Sequence, residues 1–291
     1  MKTAFALAIA GFIAAQIGVA AAEATLRKRA TETLSFYVSP SGDDRNNGCL
    51  LETSPCQTPQ HAYSQLMNDW DHAGYDPFIR LAPGTYPTGV HMAGQPVGSH
   101  TVNVVGQQSE DQSCTLAQAQ QVIVQAPPGQ AIFDIEDLAI AVVRCLTVEG
   151  SGAAAFTCRQ TPARDIAYIQ FGGSAGLLSG VSAGDGCGIN LGGEIWLAND
   201  MNYFLAGSIS RITIAYNVSI IALNRISIPY FALSTKLNVI DFHPRVKIVN
   251  SDFLPESISI VHQGGTISTS GVKLPGEIKQ GDPSAPGYVY K

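Results

Sequence analysis

Residues 211–250 read RITIAYNVSIIALNRISIPYFALSTKLNVIDFHPRVKIVN, and this segment gives the clearest indication of the fold. Short runs rich in Ile and Val recur along it, and Asn, Ser or Pro separates one run from the next. Runs of about four to eight residues with many β-branched side chains, bounded by turn formers, are typical of strands. The stretch therefore predicts a series of short strands joined by tight turns.

The same pattern of short β-branched runs separated by turn formers extends back to residue 77 and forward to residue 270. The main runs are FIRLA (78–82), TVNVVG (101–106), QVIVQA (121–126), RCLTVEG (144–150), IAYIQF (166–171), GEIWLA (193–198), RITIAY (211–216), NVIDFH (238–243) and ISIVHQ (258–263). Their centres lie about 20 to 25 residues apart. A period of this length without intervening helices is the signature of a solenoid.

We therefore predict an all-β chain, a single-stranded right-handed parallel β-helix over residues 77–270. Each coil turns through two or three strands, and each strand pairs with the equivalent strand one coil later. The competing fold is an antiparallel β-sandwich, which favours two-residue hairpin turns such as Asn-Gly. The single Asn-Gly, Asn47–Gly48, precedes the repeats, so the β-helix is favoured.

One helix is predicted ahead of the repeats. Thr58 suits the N-cap and Pro59 the first helical position. Ala62, Leu66 and Trp70 follow at four-residue spacing and form one apolar stripe. Because the open end of a solenoid exposes unpaired strand edges, we expect this helix to cap the N-terminal end.

The first residues have the pattern of a secretory signal. Lys2 is followed by an apolar run to about Val19 and by the small residues Ala20 to Ala22. An uncleaved membrane anchor is the alternative, but the run is rich in Ala and ends in small residues. No later run approaches the roughly 20 apolar residues of a membrane span. We therefore predict a secreted or periplasmic protein that has no membrane span after cleavage.

These features divide the chain into five predicted segments. They are a signal peptide (1–22), a flexible lead-in (23–33), an N-terminal strand with the capping helix (34–76), the β-helix (77–270) and a C-terminal tail (271–291).

Composition narrows the class of partner. The 291 residues include 17 Lys and Arg against 23 Asp and Glu, a formal net charge of −6. Nucleic-acid binding needs a basic face, so it is not expected. Disorder is excluded because 45% of the residues are hydrophobic. Only 14% are charged, against about 25% in average domains, so the surface is poor in charge.

An even number of cysteines in an exported chain predicts disulfides. Cys49 and Cys56 flank a short loop and are the predicted pair. The other four cysteines allow three pairings, between which spacing does not choose: Cys114, Cys145, Cys158 and Cys187. Zinc is disfavoured, because the sequence has no C-x-x-C and no Cys/His cluster.

Four segments carry a family resemblance. They are YVSPSGDDRNNG (37–48), TPQHAYSQL (58–66), IRLAPGTY (79–86) and, more loosely, NYFLAGSISRITIAYNVSIIA (202–222). They resemble secreted bacterial right-handed β-helix proteins of the pectin-lyase-like superfamily, in which a strand and turn lead into a helix and a first coil. That superfamily includes polysaccharide lyases, hydrolases and esterases, phage tailspikes and non-enzymatic stalks, so the fold does not define the function.

A pectate-lyase-like site would require calcium, held by carboxylates of neighbouring coils, and a cationic base that removes the proton next to a uronate carboxylate. The candidate calcium ligands are Asp134, Glu136, Asp137 and Asp165. The candidate bases are Arg144 and Arg164. The alternative is that all six are solvated residues at corners of the coils.

Outward aromatic side chains could stack on sugar rings along a groove. The candidates are Trp196, Tyr203, Tyr216 and Tyr230. The segment Arg245-Val246-Lys247 resembles the R-I-K substrate clamp of polygalacturonases, so Arg245 and Lys247 are candidate substrate ligands. The alternatives are inward packing of the rings and an ordinary strand with a polar outer face.

The sequence thus predicts an exported protein that binds, and could modify, an extracellular or cell-wall polysaccharide, with calcium as the candidate cofactor. The alternative is a non-catalytic structural or adhesive surface protein. Acid–base clusters on adjacent coils would favour an enzyme, whereas smooth outer faces of Ser, Thr, Asn and Gly would favour a scaffold. The sequence alone does not decide between them.

Overall fold

A computed structural model describes most of the chain. The described residues are 26–45, 48–99, 101–107, 113–137, 139–160, 165–173, 176–281 and 286–291. The predicted signal peptide therefore lies outside them. Within these ranges the chain forms an all-parallel β-solenoid of about eight turns.

Each full turn contributes strands to three faces. Face 1 contains β2 (Ser35–Val38), β4 (Phe78–Leu81), β7 (Val102–Val105), β10 (Ala141–Glu149), β12 (Asp165–Gly172), β14 (Gly188–Leu197), β16 (Arg211–Ile214), β19 (Val239–Phe242), β22 (Thr266–Ser268) and β24 (Tyr288–Tyr290). Face 2 contains β5 (Gly84–Tyr86), β8 (Val122–Gln125), β17 (Ser219–Ala222), β20 (Lys247–Val249) and the C-terminal halves of β10, β12 and β14. Face 3 contains β6 (Val90–Ala93), β9 (Phe133–Glu136), β11 (Ala154–Arg159), β13 (Leu177–Gly184), β15 (Met201–Ser208), β18 (Tyr230–Thr235), β21 (Ile258–Val261) and β23 (Glu277–Gln280).

All pairings between these strands are parallel, and each strand pairs with its equivalents in the preceding and following turns. On face 1, for example, β12 pairs with β10 on one side and with β14 on the other. A sandwich of antiparallel hairpins is thereby ruled out, and the predicted parallel β-helix is confirmed. Its right-handed sense stays a prediction.

Stacked phenylalanines fill much of the interior. Successive ring centroids lie 5.1 to 6.4 Å apart, and all the rings are fully buried. The residues are Phe133, Phe156, Phe171, Phe204, Phe231 and Phe242. Strand alternation points every second side chain of a rung inward, so the four rings from face 3 meet Phe171 of β12 and Phe242 of β19 in the interior.

Left-handed backbone marks the corner between faces 1 and 2. Cys145 and Tyr168 have φ values of 60° and 55° and occupy equivalent places in successive turns. In the next turn this corner contains Gly193, at φ 61°, where an added Cβ would lie 2.7 Å from the Tyr168 ring. Glycine and asparagine are the expected residues for such corners. In this chain a cysteine and a tyrosine also occupy the corner.

The helix α1 (Pro59–Asp69) begins where the sequence predicts. The Thr58 side chain accepts a hydrogen bond from the His61 N–H, and Ala62 and Leu66 are buried against the first coil. Its function as a cap stays a prediction.

The helix ends at Asp69, earlier than the apolar stripe predicts. The next two residues form β3 (Trp70–Asp71), which pairs with β1 (Lys28–Arg29). This pairing also gives part of the predicted flexible lead-in a strand conformation. At the other end, β23 and β24 extend the solenoid into the segment predicted as a tail.

Three disulfides bind the coils and loops together. Cys49 pairs with Cys56, as the spacing predicts; the other pairs are Cys114–Cys145 and Cys158–Cys187. Three disulfides indicate an oxidising, extracytoplasmic environment. Among the described residues, no helix has both the length and the apolar character needed to cross a bilayer.

Two short helical segments complete the described elements. One is α2 (Leu116–Ala119), capped by the side chain of Thr115, and the other is a 3₁₀-helix (Ser251–Phe253). The first packs against β8, β10 and β12 and covers part of face 2.

Candidate functional site

Four charged or titratable side chains meet on the outer surface of face 3. In β9, Phe133 and Ile135 point into the core, so the alternate residues Asp134 and Glu136 point outward. The strand register sets His91 of the preceding turn beside Asp134 and brings Arg159 of the following turn next to Glu136. We call these four residues, His91, Asp134, Glu136 and Arg159, the face 3 cluster.

Glu136 uses one oxygen for the histidine and the other for the arginine, whereas Asp134 has one oxygen near the histidine and both oxygens 3.5 Å from the arginine. His91 Nδ1 lies 3.2 Å from Asp134 Oδ2, and His91 Nε2 lies 3.4 Å from Glu136 Oε1. Arg159 Nη2 donates to Glu136 Oε2 at 2.9 Å and lies 3.5 Å from Asp134 Oδ1. The two carboxylates thus lie between an imidazole on one side and a guanidinium on the other.

The helix α1 positions the histidine. The Gln60 amide donates to the His91 carbonyl at 3.2 Å, and its oxygen accepts from the His91 N–H at 2.7 Å. Because β6 is the first strand of face 3, the Gln60 side chain satisfies backbone groups on the open edge of β6. Thr157 supports the other side by donating its hydroxyl to Asp134 Oδ1.

An open cleft of about 460 Å³ begins at the cluster and crosses the next turns of face 3. Its walls include Asp134, Thr157, Arg159, Ser182 and Ser208, together with a further carboxylate, Asp185, and small side chains and glycine. These residues lie on four successive strands, β9, β11, β13 and β15. At about 4.8 Å per strand the cleft follows the solenoid axis for roughly 14 Å.

Two tyrosines lie further along the same face. Tyr203 in β15 and Tyr230 in β18 stack with ring centroids 5.1 Å apart and an interplanar angle of 16°. Both are partly exposed. Tyr203 precedes the cleft residue Ser208 on the same strand, so face 3 presents the two aromatic rings to one side of the cleft.

Trp196, a predicted sugar-stacking residue, is only 2% exposed. It points away from the main core but packs with Cys114, Cys145 and Ala119 in a second, smaller apolar cluster. The loop that contains α2 folds back over face 2 and covers the indole. The ring is therefore closed to a ligand from solvent.

Three other predicted substrate residues lie on faces 1 and 2, away from the cleft. Tyr216 is 46% exposed, with the Arg245 guanidinium 4.9 Å and the His243 ring centroid 4.8 Å from its own ring centroid. Lys247 is exposed on β20, where it pairs with Ser219. The structure thus brings Tyr216 and Arg245 together and leaves Tyr203 on another face.

The predicted calcium ligands and bases do not all meet. Asp134 and Glu136 lie side by side, and Asp137 is in the turn that follows. Asp165 lies on face 1, where it accepts a hydrogen bond from Asn190 at 3.1 Å. Arg144 also lies on face 1, in β10. The other candidate base, Arg164, lies outside the described residues.

The donor set of the face 3 cluster fits calcium poorly. Within the described ranges, the residues that bring three potential ligand atoms together outside a disulfide are His91, Asp134 and Glu136, with these atoms within 4.8 Å of one another. Calcium takes about six to eight oxygen ligands, whereas two carboxylates provide at most about four and the third group is an imidazole. A mixed set of nitrogen and oxygen donors suits transition-metal ions better. We therefore assign no chemical step to a cation here.

Sequence reasoning missed His91 and Arg159. His91 lies 43 residues before Asp134, and Arg159 lies 25 residues after it. These unequal separations reflect turns of different length, so a fixed repeat does not align the three residues. The alternating pattern of VHMA in β6 signals an outward histidine but gives no partner for it.

Comparison with known proteins adds no relative: no protein-family model matches the chain, and no curated protein matches it. Fold and site together define the class as a parallel β-solenoid with a charged cluster and an open cleft on one face. Membership of the pectin-lyase-like superfamily and a bacterial source stay predictions.

Proposed function

We propose that this chain is a secreted β-helix protein that binds an extracellular polysaccharide along face 3. The observation that carries the proposal is the cleft that runs from the face 3 cluster across four successive strands. A binding surface built from stacked rungs repeats along one axis, as a polysaccharide does.

The groups along the cleft match the chemistry of a sugar chain. The hydroxyls of Thr157, Ser182 and Ser208 can both donate and accept hydrogen bonds. Arg159 is 51% exposed and donates in a planar fork, which suits sugar hydroxyls or a uronate carboxylate. The partly exposed rings of Tyr203 and Tyr230 offer apolar contact for a sugar further along the face.

The charge arrangement favours binding without bond cleavage. Both carboxylates of the face 3 cluster are engaged by His91 and Arg159, and Asp134 also accepts from Thr157. A general acid or base must be free to exchange a proton with the substrate. Charged groups of adjacent turns do meet here, as an enzyme would require, but because both carboxylates are already paired we propose binding without cleavage, which agrees with the alternative of a non-catalytic structural or adhesive surface protein.

The test is affinity electrophoresis of the purified protein against polygalacturonate and a neutral glucan, each with calcium and with a chelator. We expect at least one polysaccharide to retard the protein, and Arg159→Ala to weaken that binding about ten-fold, a loss of about 1.4 kcal/mol. The matched control is Arg211→Ala, because Arg211 also forms an exposed ion pair, 3.1 Å from Asp241, but on face 1.

Two results would overturn the proposal. One is that neither polysaccharide retards the wild type; the other is that Arg159→Ala and Arg211→Ala bind like the wild type. The same samples decide the lyase alternative, since cleavage of polygalacturonate by elimination forms an unsaturated uronate with its own ultraviolet absorbance. A calcium-dependent increase in that absorbance would make the protein an enzyme.

A further inference from the structure

A pair of basic residues stands between the predicted signal peptide and the first rung of the solenoid. Residues 26–33 read LRKRATET, and the pair is Lys28–Arg29. We propose that the peptide bond between Arg29 and Ala30 is cleaved by a dibasic-specific endoprotease during export, so that the mature chain begins at Ala30. This inference does not rest on the proposed polysaccharide binding.

The segment around this bond is accessible on both sides. Every residue from Leu26 to Thr33 is exposed except Ala30, which is 4% exposed. Proteases bind several residues on each side of the cleaved bond in an extended conformation. Strand β1 already holds Lys28 and Arg29 extended, with both side chains exposed to solvent.

Little holds the segment in place. The pairing of β1 with β3 joins only two residues on each strand, Lys28 to Trp70 and Arg29 to Asp71. An isolated two-stranded pair is marginal in water, and chain ends are the first parts to open. Residues 26–29 contribute nothing to the buried core, so the bond can enter a protease without unfolding of the solenoid.

The side chains before the bond match the specificity of the protease. Lys28 and Arg29 present two adjacent cations, which a protease recognises through carboxylates in its binding pockets. Hydrolysis adds one water across the bond: Arg29 retains the carboxylate, and Ala30 leaves as an α-ammonium group. The Ala30 N–H donates to the Asp71 carbonyl at 2.8 Å, so the new terminus keeps an acceptor at its position.

Cleavage has a structural consequence at Trp70. The Lys28 ammonium lies 5.7 Å from the centroid of the Trp70 ring, and Arg27 donates to the Asn68 carbonyl at 3.3 Å. Removal of residues up to Arg29 takes away both contacts and exposes the indole.

Dibasic-specific endoproteases belong to eukaryotic secretory routes. Cleavage at this bond would therefore not fit the bacterial source that the resemblance implies.

The test is secretion of the full chain from a yeast that has its dibasic-specific endoprotease and from a strain that lacks it, with N-terminal sequencing and intact mass. We expect Ala30 as the first residue in the former and a longer chain in the latter. The double variant Lys28→Ala/Arg29→Ala should keep the longer N-terminus in both strains. The matched control, Arg27→Ala, leaves the pair intact and should be processed normally.

Tryptophan fluorescence gives a second readout. Of the two tryptophans, Trp196 is buried, so a shift between the long and short forms reports on Trp70. The proposal is overturned if the protease-containing strain secretes a wild-type chain that retains Arg29, or if the double variant still begins at Ala30.

Discussion

At the scale of single residues, His72 shows how burial makes one group sensitive to pH. Its side chain is fully buried, its ring contacts Phe36 with centroids 6.5 Å apart, and Nε2 donates to the Leu66 carbonyl at 3.2 Å. Burial lowers the pKa of His72, although the Leu66 carbonyl and the nearby Asp71 and Asp76 oppose the shift. The folded chain therefore holds this histidine neutral at a pH where the unfolded chain protonates it.

The expected outcome is an acid-sensitive stability that depends on His72. Because histidine in an unfolded chain titrates near about 6.5, the unfolded state binds more protons as the pH falls below that value. The free energy of unfolding should be highest above about pH 6.5 and should fall as the pH decreases towards 5. Urea unfolding across this range should show a flatter dependence for His72→Gln than for the wild type.

The control for this experiment is His61→Gln, since His61 lies on α1 and is only half-buried. It should keep the wild-type dependence on pH. Equal slopes for His72→Gln and the wild type would contradict the assignment of the acid sensitivity to His72.

At the scale of elements, the disulfides differ in how much chain they close. Cys49–Cys56 joins residues 7 apart within the loop before α1, whereas Cys158–Cys187 joins residues 29 apart, from β11 to the start of β14. In the chain-entropy model a cross-link stabilises the fold by restricting the unfolded state, and the effect increases with loop length. The disulfide that closes the longer loop should therefore contribute more to the free energy of unfolding.

We expect Cys158→Ala/Cys187→Ala to lower the free energy of unfolding by about 3.6 kcal/mol and Cys49→Ala/Cys56→Ala by about 2.4 kcal/mol. All four cysteines are buried, so the two double variants remove similar packing and differ mainly in the closed loop. Denaturant unfolding of both variants measures the difference. The reverse order would show that local packing, not chain entropy, determines the contribution of each link.

At the scale of the whole molecule, the stability of the solenoid depends on contacts between neighbouring turns along a single axis. In such folds each turn contacts only its neighbours, and the turns at the ends lack one neighbour. The central strand β12 pairs on both sides, with β10 and β14, whereas among the described strands β24 pairs on one side, with β22. Opening should therefore begin at the ends and reach the centre last.

Hydrogen exchange followed by mass spectrometry should show this gradient. Peptides that cover β12 should exchange at least about ten-fold more slowly than peptides that cover β24, which corresponds to a difference of about 1.4 kcal/mol in opening free energy. Face 3 should show the same order, with β11 slower than β23. Uniform protection along the chain would mean that the solenoid opens as one cooperative unit.

Features that depend on local pattern could be predicted from the sequence alone. Strand alternation is a property of two adjacent residues, so the short β-branched runs predict the rungs. The helix start at Thr58 and the short link between Cys49 and Cys56 are equally local, and the structure has both.

Which residues of different turns meet became known from the folded structure. His91 and Arg159 join the two carboxylates across unequal stretches of chain, and the loop around α2 folds back to bury Trp196. The pairing of the last four cysteines was settled in the same way. The register between turns depends on how loops of different length pack against the whole solenoid. The spacing of residues along the sequence does not predict that packing.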